Sequence, residues 1–526
     1  MSDGAAGPVA AQASAPRSER WVRAAERTLD RAFGAAANPL RQLGALTFWM
    51  LWIVVASGFW IYALYETSVD GAYASVQAMT DQQPLAGGLM RSLHRYASDA
   101  LIALALLHLL REALLGRFRA FRWFTWVSGV PLLPLAIASA VVGYWMVWDQ
   151  RAQVIGVAVF EWFAWLPGFG VGLVRNFIDP EAITDRFFSL LAFAHIGLPL
   201  LLLLGCWAHL LRLVRPQTQP VRELAIGSAL TLAALSLAWP ARSLAPADLG
   251  LWPSQSAIDW FTFGVLPLAD LAPRLTWVAT AALTLVLLVM PWWPSRRVVP
   301  PAAVVDPAHC NGCTLCQADC PYGAIQMVPH ADGRAGVRMA RVSAELCAGC
   351  GICVGACPSA TPFRRGAPFA TGIDLPQLPL AALRERLDRA LDALDPRADT
   401  ARVVVLGCDC AARLDERTAG AVMLSAPCAA NWPPVFVEYA LRQGADGVLI
   451  TACPPSDCAF RLGARWTEQR LAGERLPQLR ARVARERVRL HWALREDKES
   501  LAQALDNFQR VLTVHAGSHA TVDTAT

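Results

Sequence analysis

The chain has 526 residues, 55% hydrophobic and 17% charged, with a formal net charge of +5. It is too apolar for one soluble domain and too long for one core. The basic residues, nearly all Arg with Lys498 the sole lysine, form no clustered face of the kind that binds nucleic acid.

Residues 1–42 carry Arg at intervals, with no apolar stretch leading to a small-residue cleavage site. We expect no cleaved signal there. Six apolar segments follow, near 43–66, 92–115, 124–147, 188–213, 222–241 and 274–293. Each is about the 20 residues that a membrane-crossing helix needs. A further apolar stretch, 154–174, is broken by Glu161, Pro167 and several glycines and reads as an interfacial segment. Arg17, Arg20, Arg23, Arg27, Arg31 and Arg41 precede the first segment. Arg117, Arg119 and Arg122 join the second to the third, Arg212, Arg215 and Arg222 the fourth to the fifth, and Arg296 and Arg297 follow the sixth. The loop 67–90 has none. The positive-inside rule then places both termini on the cytoplasmic side of a bacterial inner membrane.

The second segment carries His94 and His108, the fourth His195 and His209, each pair 14 residues apart. Fourteen residues fall within about 40° of four full turns and rise about 21 Å, so each pair shares a helix face. Ionisable residues inside a span are costly and usually functional. The two segments run the same way across the membrane, so His94 faces His195 and His108 faces His209. Two imidazole pairs at two depths suit two bis-histidine b haems. Gly44 and Gly58, and Gly129 and Gly143, repeat the 14-residue spacing and leave room for a flat macrocycle. Arg91, Arg111 and Arg212 lie three residues from a histidine, within reach of haem propionates. Cys206 in the fourth segment reads as packing.

These segments, with RSLHRYASDALIALALLHLLREALLGRF, WVSGV and GYWMVWDQ, resemble cytochrome b of quinol-oxidising bc-type complexes. The resemblance implies that His94 and His195 bind an outer haem and His108 and His209 an inner one. It also implies quinone sites near each haem and a homodimer. The family's Pro-Glu-Trp-Tyr motif is replaced here by Ile258-Asp259-Trp260-Phe261, and Arg186-Phe187-Phe188 lies about one turn further back than in the family. Asp259 is the candidate quinone-site carboxylate.

Thirteen of fourteen cysteines lie between Cys310 and Cys458, which points to metal ligation in a reducing compartment. Residues 310–320 and 347–357 each read C-x2-C-x2-C-x3-C, followed by Pro. Three close thiolates hold one cubane and the fourth reaches the other. One [4Fe–4S] cluster takes Cys310, Cys313, Cys316 and Cys357, and the second takes Cys347, Cys350, Cys353 and Cys320. This segment resembles two-cluster ferredoxins.

A connector, 367–400, holds a predicted helix at 379–394. Strands are predicted at 402–407, 421–426, 447–452 and in RVRLHWA (487–493). Helices are predicted in PPVFVEYALRQGA, near 465–484 and near 498–513. The alternation argues for a small α/β domain with its cysteines gathered at one sheet edge. Cys408, Cys410, Cys428, Cys453 and Cys458 give five candidates for the four places of a [2Fe–2S] centre; zinc or a redox-active disulfide is the alternative. The stretch FVEYALRQGADGVLITACPPSDCAFRLG resembles the iron–sulfur delta subunit of methyl-viologen-reducing hydrogenases, which passes electrons to the flavoprotein of heterodisulfide reductase. The family's first motif, of C-C-x2-C type, is here Cys408-Asp409-Cys410, and which of the two binds iron stays open.

The expected architecture is an all-α transmembrane helical bundle of about six spans, then a small α+β two-[4Fe–4S] ferredoxin domain and a small α/β iron–sulfur domain. The expected boundaries are 1–42, 43–295, 296–366, 367–400 and 401–526. No G-x-G-x-x-G fingerprint follows a strand, so a flavin belongs to a partner. The expected function is electron transfer between the quinone pool and a cytoplasmic flavoprotein or heterodisulfide-reductase-like subunits. The alternative is a membrane-anchored relay between two protein partners.

Overall fold

The computed structural model describes residues 17–170, 181–251, 253, 259–294, 300–333, 336–360, 369–394, 400–414 and 418–522. Ile258, Arg296, Arg297 and the end of the 154–174 stretch lie outside them. The chain divides into two compact units, Met1–Leu211 with Gln217–Pro294, and Arg212–Pro216 with Ser295–Thr526.

The first unit is helical. Its elements are α1 (Arg17–Phe33), α2 (Leu43–Tyr62), α3 (Val69–Asp81), α4 (Leu89–Leu114), α5 (Trp123–Gly129), α6 (Leu132–Val147), α7 (Gln150–Phe163), α8 (Asp185–Leu210), α9 (Arg222–Ala238), α10 (Trp260–Phe263), α11 (Leu266–Leu271) and α12 (Pro273–Val289). Among the described residues, four helical stretches are long and apolar enough to cross a membrane: Pro39–Tyr62, Ala120–Val147, Asp185–Leu210 and Pro273–Trp292. The other two expected spans are helices of a different kind. α4 has 26 residues, but Arg91, His94, Arg95, Asp99, His108, Arg111 and Glu112 dilute its apolar face. α9 has only 17 residues, about 26 Å, against a hydrocarbon core of about 30 Å. The third segment is not one helix: it breaks between Gly129 and Leu132, where Pro131 lacks the N–H an unbroken helix would use.

Five of these helices share one core. Met50 and Leu51 (α2), Ala97, Leu101 and Ile102 (α4), Ala136 (α6), Leu202 (α8) and Leu232 (α9) are all buried together. A second core joins Trp145, Ile155, Phe187, Phe188 and Phe263. α1 is held to α4 by charge. Glu26 is fully buried, and its carboxylate meets Arg111 at 2.6 Å, Arg23 at 3.0 Å and Arg41 at 3.9 Å. Asn38 donates to the Glu26 carbonyl at 2.8 Å and to Asp30 at 2.6 Å.

In the second unit, β1 (Val304–Val305) pairs antiparallel with β4 (Ile373–Asp374), and β2 (Ile325–Pro329) with β3 (Arg338–Val342). Short helices α13 (Leu315–Asp319) and α14 (Ile352–Gly355) sit in the cysteine motifs, and α15 (Leu380–Asp392) follows. β5 (Val403–Cys408), β6 (Ala421–Ala426), β7 (Gly447–Ala452) and β8 (Val488–Trp492) form a parallel sheet in the order β6-β5-β7-β8. Both β5 and β7 are buried throughout, as parallel strands covered on two faces must be. The helices are α16 (Pro434–Arg442), α17 (Gly463–Ala472) and α18 (Lys498–Val522). α18 lays Leu501, Leu505, Phe508 and Leu512 on Val403, Val405 and Leu449, a one-face helical spacing. α17 is shorter than the 465–484 expected, because Gly473 takes a left-handed φ of 88° and ends it.

Removing the Glu26 carboxylate leaves buried arginines without their counter-charge. Glu26→Ala should cost on the order of 3 kcal/mol, read as a lowered thermal midpoint in detergent. Glu19→Ala, which loses only a partly exposed pair with Arg23 at 4.0 Å, should change stability by less than about 1 kcal/mol.

Candidate redox centres

α4 and α8 bring the four histidines into two pairs. The His94 and His195 ring centroids are 6.1 Å apart, at an interplanar angle of 67°. An iron bound about 2 Å from each imidazole nitrogen, with each ring centre about 1 Å beyond its nitrogen, needs a separation of about 6 Å. His108 and His209 stand within electrostatic reach of one another.

The glycines make room for the imidazoles themselves. A Cβ on Gly58 would lie 3.1 Å from Cε1 of His94, and on Gly143 2.8 Å from Cε1 of His195. On Gly44 it would lie 3.3 Å from Cε1 of His108, and on Gly129 2.8 Å from Cε1 of His209. Each glycine therefore seats one imidazole edge. The Nδ1 atoms are engaged behind those edges. His94 Nδ1 is 3.0 Å from the Val54 carbonyl and 3.2 Å from Ser57 Oγ. His195 Nδ1 is 3.0 Å from the Ser139 carbonyl. His209 Nδ1 is 3.3 Å from Ser128 Oγ. An imidazole whose Nδ1–H donates to oxygen presents the Nε2 lone pair, the arrangement of metal-ligating histidines. Ser57 and Ser128 did not stand out in the sequence. Their signal was a repeated Ser-Gly doublet, at 57–58 and 128–129.

The arginines are committed to protein partners. Arg91 donates to Thr80 Oγ1 at 2.6 Å, to the Val76 carbonyl at 3.3 Å and to Ser243 Oγ at 2.8 Å. Arg111 joins Glu26 and, at 2.8 Å, Glu112. These contacts hold both guanidiniums in place: Arg111 by its neighbour Glu112 and by Glu26 of α1, Arg91 by groups 11 to 152 residues away.

Asp259 caps α10. Its Oδ1 accepts the backbone N–H groups of Phe261 at 3.0 Å and Thr262 at 3.3 Å. Its Oδ2 accepts the Tyr144 hydroxyl at 2.5 Å and pairs with Arg95. Arg95 also pairs with Asp99 and lies 4.9 Å over the Tyr144 ring. Burial works against the charge on Asp259. The Tyr144 hydroxyl, the Arg95 guanidinium and the two N–H groups outweigh it and hold the carboxyl below the usual carboxylate range. Arg95 and Tyr144 were not singled out from the sequence.

In the second unit, Cys320, Cys347, Cys350 and Cys353 line one small cavity, walled otherwise by apolar groups such as Ala303, Ile325 and Val342. The N–H of Ala324 donates to Cys320 Sγ at 3.3 Å, as to a thiolate. Cys313 and Cys316 respond to the charges of Cys310 and Cys357. Burial, with those neighbours adding, pushes the Cys316 thiol up to about 12. Gly312 and Gly349, third in each C-x2-C, both have left-handed φ, 69° and 62°, which lets each loop turn back on itself. The donor sets thus fit two cubanes, with the fourth ligand crossing over.

Cys408, Cys428 and Cys453 stand at or just past the carboxyl ends of β5, β6 and β7. Cys408 contacts Cys453, and Cys458 contacts both Cys453 and Cys428. Cys410 is the outlier: its backbone N–H reaches the Cys408 sulfur, while its own thiol feels Cys408 and Cys458 only through their charges. The backbone N–H of Ala464 reaches Cys458 Sγ at 3.4 Å. Among the described residues no group of three or more His, Cys, Asp or Glu stands where a lone metal ion would join them.

Three family models match separate stretches: cytochrome b/b6/petB over residues 31–217, a 4Fe-4S dicluster domain over 309–361, and the methyl-viologen-reducing hydrogenase delta subunit over 397–514. Cytochrome b6 of Chlamydomonas reinhardtii is 35% identical over 180 residues, covering 33% of this chain and 81% of that one. Cytochrome b6 of Euglena gracilis is 34% identical over 179 residues, with the same coverage. A solved structure titled hyperthermophilic respiratory Complex III aligns at 19% identity with a TM-score of 0.41, over 52% of this chain and 82% of that one. A cytochrome b domain implies haem and a dicluster domain implies [4Fe–4S] clusters, in a multi-pass membrane protein that transfers electrons. The chain belongs to the cytochrome b/b6 family, its cytochrome domain continued by a 4Fe-4S dicluster domain and a hydrogenase-delta domain.

Proposed function

We propose that this chain is a quinone-linked oxidoreductase subunit joining the quinone pool to a cytoplasmic flavoprotein of heterodisulfide-reductase-like type. It spans a bacterial inner membrane six times, with α4 and α9 completing the set, and keeps both termini and the iron–sulfur domains in the cytoplasm. The membrane domain is 43–295, the ferredoxin domain 296–366 and the C-terminal domain 401–526. His94 with His195 and His108 with His209 hold two b haems. The two cubanes take the cysteine sets named above, and a [2Fe–2S] centre takes Cys408, Cys428, Cys453 and Cys458. Bound haem and clusters supply one-electron carriers in series.

The observation that carries the quinone reading is the clamp on Asp259. Arg95 directly follows His94, so a carboxylate paired with Arg95 lies beside the outer histidine pair. The same clamp keeps Asp259 in its carboxylate form at neutral pH, the form that can take a proton from a quinol hydroxyl. Tyr144 and Arg95 then hold the carboxyl that has taken it. A second reading rests on the same residue. Four partners and a helix cap also suit a purely structural carboxylate, as in a relay between two protein partners with no quinone chemistry.

In anaerobic membranes given a quinol, the haem b absorbance should rise quickly, and Asp259→Asn should slow that step about 100-fold or more. An unaltered rate in the variant supports the relay. Because its pKa is depressed, the Asp259 contribution should be flat through neutral pH and be lost only as pH falls below roughly 4. Gly143→Ala forces the His195 ring to move and should lower the haem content from two to one per chain. Gly197→Ala, whose Cβ would meet nothing within 4 Å, should keep both. Haem extraction and the reduced α-band read the difference.

A further inference from the structure

We infer that the C-terminal cysteine centre exchanges electrons directly with the second [4Fe–4S] site (Cys320, Cys347, Cys350, Cys353) and that Asn431 is the positioning residue between them. This rests on the cluster assignments proposed above and adds their order.

The two loops interlock. Ile352, between Cys350 and Cys353, is fully buried. A Cβ on Gly463 would collide with Cys428 Sγ, and would lie 3.4 Å from Ile352 Cδ1 and 3.6 Å from Cys458 Sγ. One isoleucine side chain therefore reaches from the second cubane's loop to the place where two C-terminal thiols meet. A Cβ on Gly355 would strike the Ala430 carbonyl, and one on Gly351 the Asn431 side chain.

Buried charge fixes this contact. Asp319 directly precedes Cys320 and is 1% exposed. It meets Arg470 at 2.5 Å and Arg475 at 2.5 Å, and its carbonyl accepts Trp466 Nε1 at 3.1 Å. Arg470 donates as well to the carbonyls of Ala430 at 2.9 Å and Ile352 at 3.4 Å. One guanidinium thus ties both cysteine loops together.

Asn431 supplies the observation that points at the cluster. It is 0% exposed, yet neither end of its amide has a hydrogen-bond partner in the structure. Buried amides are nearly always satisfied. Its side chain abuts Gly351, between Cys350 and Ile352. A cluster held by Cys350 and Cys353 would offer sulfur acceptors to this amide, whose two ends exchange places by a turn about its last bond. Hydrogen bonds to cluster sulfurs help set the potential. In the exchange one electron leaves one centre and enters the other. Each changes by one oxidation level, and no bond or proton moves. The reduced flavoprotein partner supplies the electron, or the oxidised one takes it.

The test uses the full chain, iron-loaded in detergent and reduced with dithionite, followed by EPR. The C-terminal signal should show magnetic splitting and fast relaxation. Both should be lost in Cys347→Ser, which removes a ligand of the second site, and kept in Cys313→Ser, which removes one from the first. The reverse pattern overturns the order. If Cys347→Ser does not assemble, Ile352→Ala with full iron should show weakened splitting, and unchanged splitting overturns it. Asn431→Leu should keep full iron content and shift the second cluster's midpoint potential negative; an unshifted potential overturns its role. A wild-type chain whose iron content leaves no share for a C-terminal centre would sink the cluster assignment itself, a result distinct from a centre that couples to the wrong cubane.

Discussion

The approach of an imidazole edge to a helix backbone organises the membrane domain. Val54 is four residues before Gly58, and Ser139 four before Gly143. In an α-helix the carbonyl of residue i−4 already accepts the N–H of residue i, so its oxygen lies alongside the glycine. That oxygen can accept further donors, as Val54 does from Ser57 Oγ at 3.1 Å, and the histidine reaches it only where no Cβ stands in the way. His209 reaches the Thr125 carbonyl, four before Gly129, in the same manner. The 14-residue spacing of the glycines is thus tied to that of the histidines. Two helices must present carbonyls at the depths where two others present rings. A change in either spacing would leave a buried Nδ1–H without an acceptor.

That dependence explains what the sequence revealed. The histidine and glycine repeats are local facts at helical period, and they were legible. So were the cysteine motifs, whose spacing is the chemistry itself, and the strands at 421–426 and 447–452, which end where expected. Ser57 and Ser128 were not legible as singled-out residues, because one hydroxyl in an apolar helix more often back-bonds to its own turn; Ser57 does so as well, to the Ile53 carbonyl at 2.7 Å. Arg111 stood out for its distance of three residues from His108, and its ion pair with Glu26, 85 residues away, was not legible. Arg95 and Asp259 are 164 residues apart. Contacts at such separations are set by how helices pack, and no pattern along the chain encodes them.

The helix count shows a different limit. Apolarity identifies spans when their polar residues are few. α4 falls short of that measure because of the polar groups it carries: two histidines, the arginine that clamps Asp259 and the arginine that meets Glu26. Its charges are balanced partly by partners elsewhere, Asp259 for Arg95 and Glu26 for Arg111, and partly within the helix, Arg95 for Asp99 and Arg111 for Glu112, an arrangement that would be costly facing lipid alone.

The second unit raises the question of why an ion pair is buried between two domains at all. Taking Asp319, Arg470 and Arg475 out of water costs much of what their attraction returns, so the triad contributes little net stability for the area it occupies. What it does contribute is geometry. Apolar side chains would tolerate sliding by a fraction of a residue, whereas a guanidinium with two carbonyls and a carboxylate has one satisfactory position. Covalent linkage alone would raise the local concentration of one domain near the other, without setting an orientation. The linker brings the C-terminal domain close, and the buried charges then fix which loop of the ferredoxin domain it touches.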